Sequence, residues 1–99
     1  MSESEIQIHI ERLKHKDPEV RYWAVMYLEY IADVAAIPAL IEVLNYDDND
    51  LRGAAAKALA RFGPDAREAI PALTSAAQEE DVWISTTAAY ALRMIECKI

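Results

Sequence analysis

Residues 17–40 read DPEVRYWAVMYLEYIADVAAIPAL, and residues 48–73 read DNDLRGAAAKALARFGPDAREAIPAL. The two stretches carry apolar and punctuating residues in one order. Val20, Arg21, Ala24, Leu28 and Ile31 recur as Leu51, Arg52, Ala55, Leu59 and Phe62, a shift of 31. Ile37, Pro38, Ala39 and Leu40 recur as Ile70, Pro71, Ala72 and Leu73, a shift of 33. Self-similarity at that period marks stacked helical hairpins, each needing its neighbours to bury its apolar face. The chain is therefore expected to work by presenting a surface. Its partner is not written in the repeat.

Within the first unit, Asp17 followed by Pro18 reads as a helix start. The carboxylate can accept orphan amide hydrogens, and proline is tolerated at the first helical position. A first helix (A) is predicted to run to about Ala32, with Val20, Ala24, Tyr27, Leu28 and Ile31 on one buried stripe. Asp33 and Val34 make a turn; Ile37, Leu40, Ile41 and Leu44 then give the i, i+3, i+4, i+7 pattern of a second helix (B). Pro38 is tolerable there because it falls in the first turn. Asn45, Tyr46 and Asp47 close the hairpin. The second unit predicts helices near Asp50 to Phe62 and Ala66 to Glu79, with Gly63 stopping the first in a left-handed conformation.

The same register extends outward in both directions. Ile6, Ile10, Leu13 and Asp17 match Ile37, Ile41, Leu44 and Asp48, so the first helix is the B half of a truncated repeat. Ile84, Ala88, Leu92 and Ile95 match Leu51, Ala55, Leu59 and Phe62, so the last helix is the A half of an unfinished one. The expected fold is all-α, a right-handed α-α superhelix, or solenoid, of six helices in the order B, A-B, A-B, A. Its single domain, 1–99, divides into a half repeat 2–16, repeats 17–47 and 48–80, and a half repeat 81–97.

The turn aspartate, the pairs Val20-Arg21 and Leu51-Arg52, the Ala-x-x-x-Leu spacings (Ala24 to Leu28, Ala55 to Leu59) and the Ile-Pro-Ala-Leu run resemble the short HEAT-like repeat named after phycobilisome lyases. The resemblance covers nearly the whole chain. It implies a ladder between successive repeats, assigning Asp17, Asp48 and Asp81 with Arg21 and Arg52. Ser85 stands where a third arginine would, so the ladder is expected to end before the last helix. The family contains adaptors as well as proteins that attach or detach bilin pigments, and the repeat does not separate the two. Ankyrin's Thr-Pro-Leu-His run and the tetratricopeptide pattern are both missing.

Composition narrows the function classes. A chain of 99 residues can bury one core without staples. No apolar run approaches the roughly 20 residues of a membrane span, and the acidic start, with Ile6, Ile8 and Ile10 alternating with Gln7 and His9, is unlike a signal peptide. The single cysteine, Cys97, cannot form an internal disulfide and suits a reducing compartment. The chain reads as soluble and cytoplasmic. A net charge of −7 repels phosphate backbones, which argues against nucleic acid and favours a basic protein partner.

Catalytic and metal-binding signals are not found. His9 and His15 would stand about 240° apart on a helix, which does not suit a shared zinc ion and leaves both as solvated surface residues. Asp47, Asp48 and Asp50 sketch a calcium loop, but Arg52 and Ala58 occupy the places of its glycine and glutamate; helix capping explains the cluster. Two glycines, Gly53 and Gly63, cannot build a phosphate loop. No cofactor is expected. The chain reads as non-catalytic.

Comparison of repeats gives the better lead. Off the core stripe, the A helices carry Tyr22, Met26 and Tyr30, then Gly53, Lys57 and Arg61, then Thr86, Tyr90 and Met94, with Trp23 and Trp83 near the edges. The stripe runs aromatic, cationic, aromatic. Three readings stay open: flank cover with the cations resting on rings, a docking face built from residues enriched at anchors, or self-association through the unfinished end. The other candidate surface is the polar, mildly acidic face of the B helices, expected to be concave, with Gln7, Glu11, Glu42, Tyr46, Ser75, Gln78 and Glu79. The predicted function is protein binding as an adaptor, scaffold or regulatory subunit. A bilin lyase-like role and a self-assembling module are the alternatives.

Overall fold

A computed structural model of the chain describes residues 3–46 and 48–96. The expectations for Asp47 and Cys97 lie outside the described residues. Among the described residues six α-helices are found: α1 (Glu3–Arg12), α2 (Pro18–Ile31), α3 (Ile37–Val43), α4 (Asn49–Phe62), α5 (Ile70–Ala76) and α6 (Val82–Glu96). Among the described residues there is no strand. The chain is an all-α, HEAT-like repeat fold, and α1, α3 and α5 are its B helices.

The helix starts follow from side-chain caps. The Asp17 carboxylate accepts from the Glu19 amide (2.9 Å), Asp48 from the Leu51 amide (3.1 Å) and Asp81 from the Ile84 amide (3.1 Å). Each satisfies an orphan donor at the positive end of a helix dipole. The endings differ. Ala32 closes α2 in the left-handed region, φ 54 and ψ 41, without being glycine. Gly63 closes α4 at φ 58 and ψ −141, a positive-φ conformation that glycine reaches freely and that differs from the left-handed helical one expected.

The B helices are shorter than their hydrophobic period implies. In place of one helix near Ala66 to Glu79, a 3₁₀ segment Gly63–Ala69 leads into the α-helical stretch Ile70–Ala76. Pro71 sits in the first turn of α5, where its ring and missing N–H bar an α-helix from extending upstream. Residues 32–36, with their 3₁₀ turn Val34–Ala36, become residues 63–69 in the second unit. That insertion accounts for the change of shift from 31 to 33.

The A helices form one row, α2 beside α4 and α4 beside α6. Each B helix packs most closely on the A helix that follows it: α1 on α2, α3 on α4 and α5 on α6. The close pairs are therefore B-A, and the helices read as half repeats at either end each have a partner. The result is a flat body of 33 × 31 × 17 Å.

The core is alanine- and leucine-rich, and no polar or charged residue is buried among the described residues. On α2 the buried set is Ala24, Val25 and Leu28, while Val20, Tyr27 and Ile31 are half-buried. Val25 lies outside the expected stripe because α2 packs against α1 and α4 together. On α3, Val43 is buried and Ile41 is only half-buried, the reverse of the expected pattern. Trp83 rests in the notch left by Gly53, where an added Cβ would overlap its indole.

Candidate functional site

The A-helix row places most of the stripe on the surface, Gly53 being buried. Tyr22, Met26, Tyr30 (78% exposed) and Trp23 (62%) are exposed on α2, and Trp83 and Tyr90 on α6. Lys57 and Arg61 are exposed on α4 between them, while Met94 is half-buried against the core. Tyr22 and Trp23 meet edge to face, with ring centroids 6.5 Å apart. Lys57, Arg61 and Tyr90 line a shallow groove of about 240 Å³ together with Ala60 and Glu29. Glu29 was not singled out from the sequence. It stands beside the cations because α2 and α4 are adjacent, which no single-helix projection shows. Among the described residues, neither Lys57 nor Arg61 is stacked on a ring.

The B-helix surface is divided. Gln7, Glu11, Glu42, Ser75 and Gln78 are exposed. Tyr46 is half-buried and packs against the core, so it offers only part of its ring. Glu79 is engaged: its two carboxylate oxygens accept from Nη1 and Nη2 of Arg52, the Nη1 contact being 2.9 Å. The guanidinium holds this carboxylate below its usual range.

Arg52 and Asp81, two of the residues expected in the ladder, meet through Asn49. Arg52 donates through Nε to the Leu44 carbonyl (2.7 Å) and through Nη1 to Asn49 as well as Glu79. Asp81 adds its negative charge to the same arginine and accepts a hydrogen bond from Asn49 (3.2 Å). The side chains that Arg52 reaches are thus Glu79 and Asn49, while Asp81 caps α6. Ser85, in place of a third arginine, turns its hydroxyl to the Val82 carbonyl (3.3 Å). Arg21 and Asp48 both line a groove of about 680 Å³, together with Leu13, Lys14, Pro18, Asn45 and Tyr46. It makes no ion pair among the described residues. Its Nη1 donates to the carbonyls of His15 (2.8 Å) and Lys16 (3.4 Å), and its Nε is buried with no acceptor.

The histidines differ from one another. His9 is half-buried and stacks on Tyr27, ring centroids 3.7 Å apart, where burial and then Arg12 lower its pKa. His15 is exposed and uses Nδ1 to accept the Asp17 amide (3.0 Å). His9 is therefore a packing residue, contrary to the expectation of a solvated one. Among the described residues no cluster of His, Cys, Asp or Glu has the makings of a metal site, and no helix is long and apolar enough to cross a membrane.

The family model described as HEAT repeats matches residues 6–95. No curated protein matches the chain significantly.

Proposed function

This chain belongs to the HEAT repeat family, whose repeats are commonly protein–protein interaction modules, and we propose that it acts without catalysis as an adaptor, scaffold or regulatory subunit. The observation that carries this reading is the exposed row Tyr22, Trp23, Met26 and Tyr30 on α2, with Tyr90 on α6. Scattered apolar residues are ordinary on a surface. Four on three successive turns of one helix are a contact surface of the composition that anchors partners. Lys57, Arg61 and Glu29 add polar groups between the two aromatic helices, which would fix a partner's register. A net charge of −7 steers basic proteins towards the chain, and a cytoplasmic setting fits the cysteine usage.

Comparison of wild type with the combined variant Tyr22→Ala, Met26→Ala, Tyr30→Ala as baits in a native lysate tests this reading. Proteins held by wild type and lost by the folded variant are expected. Equal retention by both would remove the stripe from consideration. The finer likeness to phycobilisome lyases is addressed by incubation with a bilin, where an absorbance change on binding would favour the pigment role. Light scattering that showed a dimer of wild type and a monomer of the variant would favour self-assembly.

A further inference from the structure

Arg21 and Arg52 occupy equivalent places in consecutive repeats, yet among the described residues only Arg52 has a counter-ion. The carboxylate of Glu79 takes both terminal nitrogens of Arg52, leaving Nε for the carbonyl of Leu44. Shifted back by one repeat, Glu79 falls on Tyr46 and Leu44 on Leu13, and both of these line the groove beside Arg21. Asp48 stands there as Asp81 stands near Arg52, so its charge is common to both places and does not stand in for the missing glutamate. Asp48 is also occupied in capping α4. Arg21 is left with Nη1 on two carbonyls and Nε buried without an acceptor. An unsatisfied buried donor is costly, so a ligand whose binding re-aimed the guanidinium and gave Nε an acceptor would recover that cost.

We propose that the Arg21 groove binds the carboxylate of an aspartate or glutamate side chain from a partner polypeptide, in the place where Glu79 serves Arg52. A planar carboxylate matches the guanidinium fork through two parallel hydrogen bonds, which a neutral amide cannot reproduce. The groove's volume of about 680 Å³ accepts a side chain with its flanking backbone, and Leu13, Pro18 and Tyr46 give its stem apolar contact. Lys14 stands in the same wall, so the groove's lining carries two cations, Lys14 and Arg21, against the one carboxylate of Asp48. On binding, Arg21 adopts the arrangement of Arg52, with Nε turned to the Leu13 carbonyl and both terminal nitrogens on the ligand. The proposal rests on the reading of the chain as a protein-binding module, but concerns a surface separate from the aromatic row.

The Nε–H proton of Arg21, sheltered from exchange by burial, gives a direct readout in nitrogen-15 NMR, assigned by its loss in Arg21→Lys. The probe is the capped tripeptide acetyl-glycyl-glutamyl-glycinamide. A saturable shift of the Arg21 signal is expected, with the Arg52 signal unmoved, no shift from the glutamine counterpart, and about tenfold weaker binding by Arg21→Lys when both proteins are followed through the backbone amide of Tyr46. Tyr46→Glu, which supplies the carboxylate from within, is expected to abolish the peptide's binding. The proposal is overturned if glutamate and glutamine peptides act alike, or if nothing shifts up to the peptide's solubility limit. Tighter binding of inorganic phosphate, or of triglycine with a free carboxylate end, would also overturn it. Tyr22→Ala should leave this titration unchanged, so failure here and failure of the aromatic row are separable.

Discussion

The middle helix and its two neighbours solve opposite problems. Helix α4 lies between α2 and α6, and nine of its residues are buried: Leu51, Gly53, Ala54, Ala55, Ala56, Ala58, Leu59, Ala60 and Phe62. With a helix on either side and α3 beneath, only small side chains fit around most of its circumference. On α2 the buried set is Ala24, Val25 and Leu28, and large residues stand in solvent at Tyr22, Trp23, Met26 and Tyr30. On α6, Ile84, Ala88, Ala91 and Ile95 are buried while Trp83 and Tyr90 are exposed. The comparison separates two kinds of helix: α4 is enclosed by its neighbours, and those neighbours leave large apolar residues in solvent, the surface proposed for a partner.

Four substitutions break or sharpen that division. Leu59→Ala, at the centre of α4, is expected to cost about 2–5 kcal/mol in urea unfolding, as a truncation in a site closed on all sides. A cost under about 1 kcal/mol would mean that α4 is not the centre of the core. Gly53→Ala drives a methyl group into the Trp83 indole; overpacking outweighs the gain in helix propensity, for a net loss of about 1 kcal/mol. In a Trp23→Phe background, fluorescence should shift to the red as Trp83 leaves its notch; unchanged emission would deny the interlock.

Glu79→Gln acts at the junction of α4 with the turn before α6. The Arg52 hydrogen bonds and charge lower the folded pKa of Glu79 below its ordinary 4.5. A carboxylate with a depressed folded pKa stabilises fully above that ordinary value, and the contribution fades as pH falls through the lowered one. Wild type should therefore lose more of its stability below pH 4.5 than Glu79→Gln does, measured as urea midpoints against pH. Equal slopes would contradict the pairing. The smallest effect is expected for Tyr30→Ala, within about 0.5 kcal/mol of wild type, because its side chain is mostly in water. Loss of several kcal/mol would make the aromatic row part of the core.

What could be read in the sequence was whatever the repeat states twice. The Asp-Pro start at Asp17, the recurrence of Leu28 as Leu59 and the Ile-Pro-Ala-Leu run located the six helices, because caps and periodic apolar residues act within a turn or two of chain. Val25 and Val43 were missed as core residues. A helix packed on two neighbours buries more than one stripe, and periodicity reports only the strongest. The apolar spacing continues through the 3₁₀ segment before α5 and so imitates an α-helix there, although Pro71 carries the signal against one. At the candidate site, the exposure of Tyr22 and Tyr30 could be foreseen from their angle to the core stripe. Glu29 beside Arg61, the Gly53 notch for Trp83 and the difference between Arg21 and Arg52 depend on helices meeting across the stack. The glycine in mid-helix at Gly53 was the one local hint, since such a residue weakens a helix unless something needs its space.

Native-state hydrogen exchange followed residue by residue tests most directly whether α4 is the support and the outer helices the offered surface. The slowest amides should lie on α4 around Ala55 to Leu59, exchanging only with global unfolding, and Leu59→Ala should speed them by the full loss in stability. Amides on α2 or α6 that outlast those of α4, or α4 opening while α2 stays closed, would contradict the account.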